Sequence, residues 1–442
     1  MSLVSFQVGV RFKAMPFQFG FLASLSVTLP LLGQSLPLGG RILSLVALLL
    51  TVAVFALPST KKSMPSPLAA TFLALATVFA LFVFASASPS QFEVLASPAA
   101  WRGSAGPYYE SKLIMFCISY FPPLLLAALI TCCEATERLL QGWVAGLAAV
   151  AATAFVVLLS QWEFIARTDL ATATNWVLSD TRTQFSTISF GLAFTFAGLS
   201  IFGLPKGKGR GLLFGVFAGV MLFGLFWLSR RGDVILFAGA LALVGALSAA
   251  RLGKLSWDAL GSSTVAFLVA GCLVVLLAND WNWTYWGGLQ EAVDTRVILA
   301  EQAVSEVVNE PVSEAVARPE RMWLLGDGLG AFALSNSLLY PHNILLESLD
   351  ESGPIAAAAL LAMGLIVLFT PAVLLAARRG LSPLGSALYA CAVVVILGAL
   401  KTGDITSAGT LVALSTVALA ALHGGQSGSI ATSPSTRQSL QW

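Results

Sequence analysis

The stretch "PIAAAALLAMGLIVLFTPAVLLAA", Pro354 to Ala377, runs 24 residues without a charged side chain. At about 1.5 Å of rise per residue, a helix of this length crosses the roughly 30 Å hydrocarbon core of a bilayer. A helix also satisfies its own backbone, which lipid cannot do for it. Comparable apolar runs lie near 17–33, 41–57, 67–86, 113–133, 141–161, 185–204, 211–228, 234–250, 260–278, 384–400 and 405–422. The expected fold class is therefore an all-α polytopic membrane protein with about 12 transmembrane helices.

Composition agrees. Of 442 residues, 57% are hydrophobic and 10% charged, and mean hydropathy is +0.85. A soluble domain carries charge at roughly a quarter of its positions. The lipid bilayer is the expected surrounding, and no nucleic-acid partner is expected. Cys117, Cys132, Cys133, Cys272 and Cys391 all fall in or beside apolar runs. Their spacing suits neither a metal ligand set nor a disulfide framework. No short apolar stretch ending in an A-x-A cleavage site opens the chain, so the first run reads as a retained span.

The transmembrane domain is expected over 1–422, with a large loop, 279–341, inserted between the ninth and tenth spans. The polar, Ser/Gly-rich tail 423–442 reads as disordered and cytoplasmic. No internal repeat points to an inverted-repeat transporter.

Charge asymmetry orients this layout. With the N-terminus inside, the cytoplasmic segments hold thirteen of the 24 basic residues and only three of the 22 acidic ones. The basic set includes Arg11, Lys61, Lys62, "PKGKGR" (205–210), Arg378 and Arg379. That bias satisfies the positive-inside rule and puts both termini in the cytoplasm. The outer side then receives 87–112, 162–184, the turn "SRRGD" (229–233), the loop 279–341 and the turn "KTGD" (401–404).

Arg230, Arg231 and Lys401 break the inside bias in very short outer turns. Ionisable groups at membrane depth commonly mark a substrate path or a paired site; the plainer alternative is snorkelling to the interface. In the loop, Val293, Val297, Ala300, Val304, Val307 and Val308 recur at helical spacing, which predicts an amphipathic helix. Arg296 sits within or beside its apolar stripe. "WLLGDGLGAF" (323–332) carries Gly326, Gly328 and Gly330. On the outer side, with no preceding strand, it reads as a tight turn that lets backbone approach another surface rather than as a dinucleotide fingerprint.

The loop ends in "LLYPHNILLESLDESG", Leu338 to Gly353, which contains one of the two histidines. As plain structure, Tyr-Pro-His-Asn is a helix start, with His342 or Asn343 near the N-cap. Glu347, Asp350 and Glu351 are then ordinary first-turn acids. As chemistry, Arg230, Arg231, Arg296, His342 and Lys401 gather on one side with Asp233, Glu347 and Asp404. Guanidinium groups bind phosphate through forked, charge-assisted hydrogen bonds. An imidazole can take the proton of an attacking hydroxyl. With no D-x-D pair or carboxylate cage, the set suits a metal-independent transfer that needs no cofactor. An outward-facing transferase has no access to cytosolic sugar nucleotides, so its donor must itself lie in the membrane. A lipid-linked diphosphate sugar meets that condition.

His342-Asn343, nine residues, then Gly353 resembles the His-Asn-x9-Gly signature of the bacterial O-antigen ligase and O-antigen polymerase superfamily. "SRRG" (229–232) resembles the family's Ser-Arg-Gly segment; Ser229-Arg230 and Arg231-Gly232 each match part of it. Arg296, the glycines of 326–330 and "KTGD" extend the likeness over roughly residues 210–422. The resemblance implies an inverting glycosyltransferase of type C architecture with a large helical periplasmic loop, seated in the bacterial inner membrane with its active site facing the periplasm. The implied donor is an undecaprenyl diphosphate-linked oligosaccharide, and the acceptor a glycan or lipid A-core. A chain-length regulator or another polysaccharide-assembly protein is an implied partner.

By the same resemblance His342 is the base or acceptor-orienting group, and Arg296 with Arg230 or Arg231 binds the diphosphate. Asn343, Glu347, Lys401, Asp404, Gly328 and Gly330 are implied to bind substrate. Ala356 stands where ligases often have a second glycine. "YPHN-x-L-L-E" recurs in polymerase-like members, which favours an O-antigen or exopolysaccharide polymerase over a ligase. The alternative of another class is a transporter or flippase for polysaccharide or lipid-linked glycan, with the arginines as an anion path.

Overall fold

The computed structural model describes residues 15–28, 39–56, 66–87, 108–132, 137–160, 323–330, 343–376, 383–402 and 405–424, with single positions at 216, 219, 265, 268, 269 and 272. The spans expected near 185–204, 211–228, 234–250 and 260–278, the amphipathic stretch 293–308 and nearly all of the tail lie outside these residues. Every regular element described is helical. The helices are α1 (Met15–Thr28), α2 (Gly39–Ala56), α3 (Pro67–Ser86), α4 (Tyr108–Thr131), α5 (Glu137–Ser160), α6 (Ile344–Ala376), α7 (Pro383–Thr402) and α8 (Ala408–Gly424). Short 3-10 turns occupy Trp323–Leu325 and Ile405–Ser407.

Each of these helices overlaps one of the apolar runs, and among the described residues three segments are long and apolar enough to cross a membrane: Pro67–Ser86, Lys112–Thr131 and Ile344–Leu374. The chain is an α-helical membrane protein. Leu49, Leu81, Ile114, Phe369 and Val373 are exposed on the outside of the bundle, where hydrocarbon is the fitting neighbour for such side chains.

Local chemistry sets several ends. Ser66 caps α3, its hydroxyl accepting from the Ala69 N–H at 3.2 Å, and Pro67 occupies the first turn, where its missing N–H costs nothing. α1 and α5 pack backbone to backbone, because Gly20 and Gly142 leave no Cβ between each helix and a carbonyl of the other. Small residues at such contacts are the usual means of close packing in lipid, where the solvent itself gives no hydrophobic drive. Between α3 and α4, Phe79, Phe116 and Tyr120 form an aromatic cluster. The Tyr120 hydroxyl donates to the Ala76 carbonyl at 2.7 Å, so the cluster buries no unpaired phenol.

α8 lies at the centre. Val412, Ala413, Val417, Ala418 and Ala421 are fully buried on several sides of it, against α4 and α7. α6 packs on α3 and α7. That arrangement brings the start of α6, the start of α4 and the turn after α7 to one end of the bundle.

Candidate functional site

α6 begins where the sequence reading put a helix start, and Asn343 is its cap. The side-chain oxygen of Asn343 accepts from the N–H groups of Leu345 (2.9 Å) and Leu346 (3.2 Å), answering two donors that a helix N-terminus leaves open. The Glu347 N–H closes the turn onto the Asn343 carbonyl at 3.0 Å.

The helix is not continuous. Gly353 interrupts it at φ 83°, ψ 174° and divides a short first arm from the long apolar arm that follows. Pro354 cannot donate, so the Asp350 carbonyl loses its regular partner four residues on. The bend deprives the Glu351 carbonyl in the same way. Both are recovered by the glycine-rich loop: the Asp327 N–H donates to the Asp350 carbonyl at 2.8 Å, and the Gly328 N–H to the Glu351 carbonyl at 3.1 Å. To reach them, the loop takes left-handed backbone at Gly326 (φ 67°), Gly328 (φ 102°) and Gly330 (φ 90°). The tight turn read from "GDGLG" has its surface, and that surface is the end of the first arm of α6.

The acids of this arm are not solvated first-turn groups. Glu347 and Glu351, one turn apart and so on one helix face, are both 0% exposed. Lys112, near the start of α4 and 3% exposed, enters between them. Its Nζ lies 2.5 Å from Glu347 Oε1 and 2.6 Å from each carboxylate oxygen of Glu351. The other Glu347 oxygen accepts the backbone N–H of Ile405 at 2.8 Å. Glu347 lies in the first turn, where the helix dipole favours a carboxylate, whereas Glu351 lies near the end of the short arm, where the dipole opposes one and the ammonium is the main counterweight. With both carboxylates ionised, the triad carries one net negative charge. Asp350 (4% exposed) and Ser348 (0%) are buried on the same arm, and the Ser86 hydroxyl donates to the Ser352 hydroxyl at 3.3 Å.

Four segments thus meet: the starts of α4 and α6, the glycine-rich loop, and the chain at Ile405. Of the site residues expected from sequence, Asn343, Glu347, Gly328 and Gly330 belong to this junction. Lys401 lies in the last turn of α7. Arg230, Arg231, Arg296, His342 and Asp404 lie outside the described residues; in sequence, His342 directly precedes Asn343, and Asp404 directly precedes Ile405. Glu347, expected to face substrate, has both oxygens occupied by Lys112 and Ile405.

In the sequence reading Lys112 carries no role, and Glu351 only that of an ordinary first-turn acid. The signal in the sequence was indirect: two glutamates at i and i+4 beside a spanning segment call for a cation once the fold buries them, and Lys112 opens another apolar run. Among the described residues, no group of three or more histidine, cysteine, aspartate or glutamate side chains is arranged to hold a metal ion. No protein-family model, curated protein or solved structure matches the chain.

Proposed function

We propose that this chain is an inverting, metal-independent glycosyltransferase of the O-antigen polymerase type. It uses an undecaprenyl diphosphate-linked glycan at the periplasmic face of the bacterial inner membrane, in a bundle of about 12 spans with both termini cytoplasmic. One observation carries the reading. Parts of the chain that carry the resemblance come together: the loop "GDGLG" (326–330) binds the carbonyls of Asp350 and Glu351 within "HN-x9-G", and Ile405, the residue after "KTGD", donates to Glu347 of the same segment. A signature whose parts merely recur by chance in apolar sequence has no reason to converge.

In this reading an acceptor sugar hydroxyl attacks the anomeric carbon of the donor from the face opposite the diphosphate. The new C–O bond forms as the bond to the diphosphate breaks, with inversion. His342 takes the hydroxyl proton. Arg296 and Arg230 or Arg231 hold the charge on the departing undecaprenyl diphosphate. Lys401 and Asp404, four residues and one residue before Ile405 in sequence, are substrate-binding groups.

A gel of surface polysaccharide from a deletion strain tests the proposal. A polymerase predicts loss of the chain-length ladder with single repeats still capping lipid A-core. Loss of all capping with accumulated lipid-linked polymer instead identifies a ligase. Unchanged glycans after deletion and after His342→Ala overturn the transferase reading. Movement of lipid-linked glycan across vesicles with no new glycosidic bond favours a flippase.

A further inference from the structure

The geometry points to Lys112 as a positioning residue for the outward site: it acts through Glu347 to hold the first arm of α6 in register with the chain at Ile405. This inference rests on the transferase reading and adds to it a residue from the opposite half of the sequence, 235 positions from Glu347.

Glu347 has two oxygens and two partners on different elements. Oε1 meets the Lys112 ammonium at 2.5 Å, and Oε2 accepts the Ile405 N–H at 2.8 Å. Holding one oxygen on the lysine orients the other toward Ile405, since the carboxylate is planar and rigid. Glu351 gives the lysine a second anchor, with both of its oxygens at 2.6 Å, so the ammonium cannot swing with Glu347. At its other end the arm is fixed by the Asp327 and Gly328 N–H groups. The cap of the arm, Asn343, directly follows His342 in sequence, and Ile405 follows Asp404. A buried, charge-assisted clamp therefore sets the spacing between the two segments, with Lys112 acting through Glu347. A buried pair of this kind is weak evidence for added stability, because desolvation offsets most of its attraction; fixing a geometry is the better-supported use.

The test uses purified full-length chain in lipid nanodiscs, with lipid-linked oligosaccharide extracted from a strain lacking the chain as donor. Lys112→Met is expected to lower kcat at least about tenfold with donor KM held within about twofold, since a misplacement of about 1 Å can cost a hundredfold in rate. Lys112→Met/Glu351→Gln keeps the triad's net charge at one negative. It is expected to show the same kcat loss, even if the single variant does not fold. Gly142→Ala, which strains the distant α1–α5 contact, is the control for instability alone and should leave kcat per folded molecule unchanged. Wild-type kcat in either folded Lys112 variant overturns the inference, as does failure of both to fold, which makes the triad a folding element. A loss confined to KM also overturns it. Wild-type chain that forms no glycosidic bond removes the transferase reading first, a result distinct from an active wild type with an equally active Lys112→Met.

Discussion

Gly326 and Gly353 each fill the space that the other's Cβ would need. A Cβ on Gly326 would stand 2.6 Å from the Gly353 nitrogen, and one on Gly353 would stand 2.8 Å from the Gly326 nitrogen. Both residues have positive φ, 67° and 83°. The glycine of the His-Asn-x9-Gly signature is therefore a backbone requirement: it lets the α6 carbonyls turn toward the loop that caps them.

Gly353→Ala and Gly326→Ala should each destabilise the protein by more than the roughly 1–2 kcal/mol of an alanine forced into left-handed backbone, because the clash is with main chain that cannot rotate away. Gly364→Ala is the contrast. Its Cβ would meet only Ile396 Cγ2 at 3.9 Å, inside a regular helix, so it should be neutral or stabilising by up to about 1 kcal/mol. Thermal unfolding of the three variants in one detergent ranks them. Equal melting temperatures for Gly353→Ala and Gly364→Ala would show that the interlock does not hold the junction.

Asn343 has a structural duty that can be separated from any duty toward substrate. Removing the cap with Asn343→Ala should cost about 1 kcal/mol. Asn343→Ser keeps an oxygen able to accept from Leu345 and Leu346 and should recover most of that stability. If Asn343 also binds substrate, Asn343→Ser unfolds like wild type yet transfers glycan more slowly. Full activity in Asn343→Ser would confine the residue to capping.

Tyr120 offers a control away from the junction. Tyr120→Phe removes the bond to the Ala76 carbonyl but keeps the ring against Phe79 and Phe116. A cost of about 0.5–1.5 kcal/mol in unfolding free energy is expected, with no change in transfer rate. A large activity loss would mean that the aromatic cluster communicates with the junction.

Hydropathy located the helices well wherever lipid-facing side chains decide the matter. The run 67–86 is α3 itself, while the run expected near 17–33 is matched by α1 from Met15 to Thr28. It failed where charge is buried. The run near 113–133 corresponds to α4 starting at Tyr108, and Pro354–Ala377 to α6 starting ten residues earlier at Ile344. The first extension holds Lys112 and the second Glu347 and Glu351, and a charge counts against a span until its partner is known. Lys112 and Glu351 are 239 residues apart, so nothing local announces the pair. The cap at Asn343 and the turn at "GDGLG" were legible because their cause is local: an amide reaching the next N–H groups, and glycines free to take positive φ.

The link from Glu347 to Ile405 gives the sharpest distinction between the two glutamates. Both bind Lys112, but the Ile405 N–H is held by Glu347 alone of the two. Glu347→Leu removes that acceptor and leaves a buried donor open, a cost of about 1–3 kcal/mol at that amide. Hydrogen exchange at Ile405 should therefore accelerate in Glu347→Leu. Glu351→Gln keeps Glu347 and a polar partner for Lys112, and should leave Ile405 exchange near the wild-type rate. Amides within the long arm of α6, such as Val367, serve as the reference in both variants, since their bonds lie inside continuous helix beyond the bend. Equal acceleration at Ile405 in the two variants would mean that the triad loosens as a whole, and that Glu347 is no separate tie to the turn carrying Asp404.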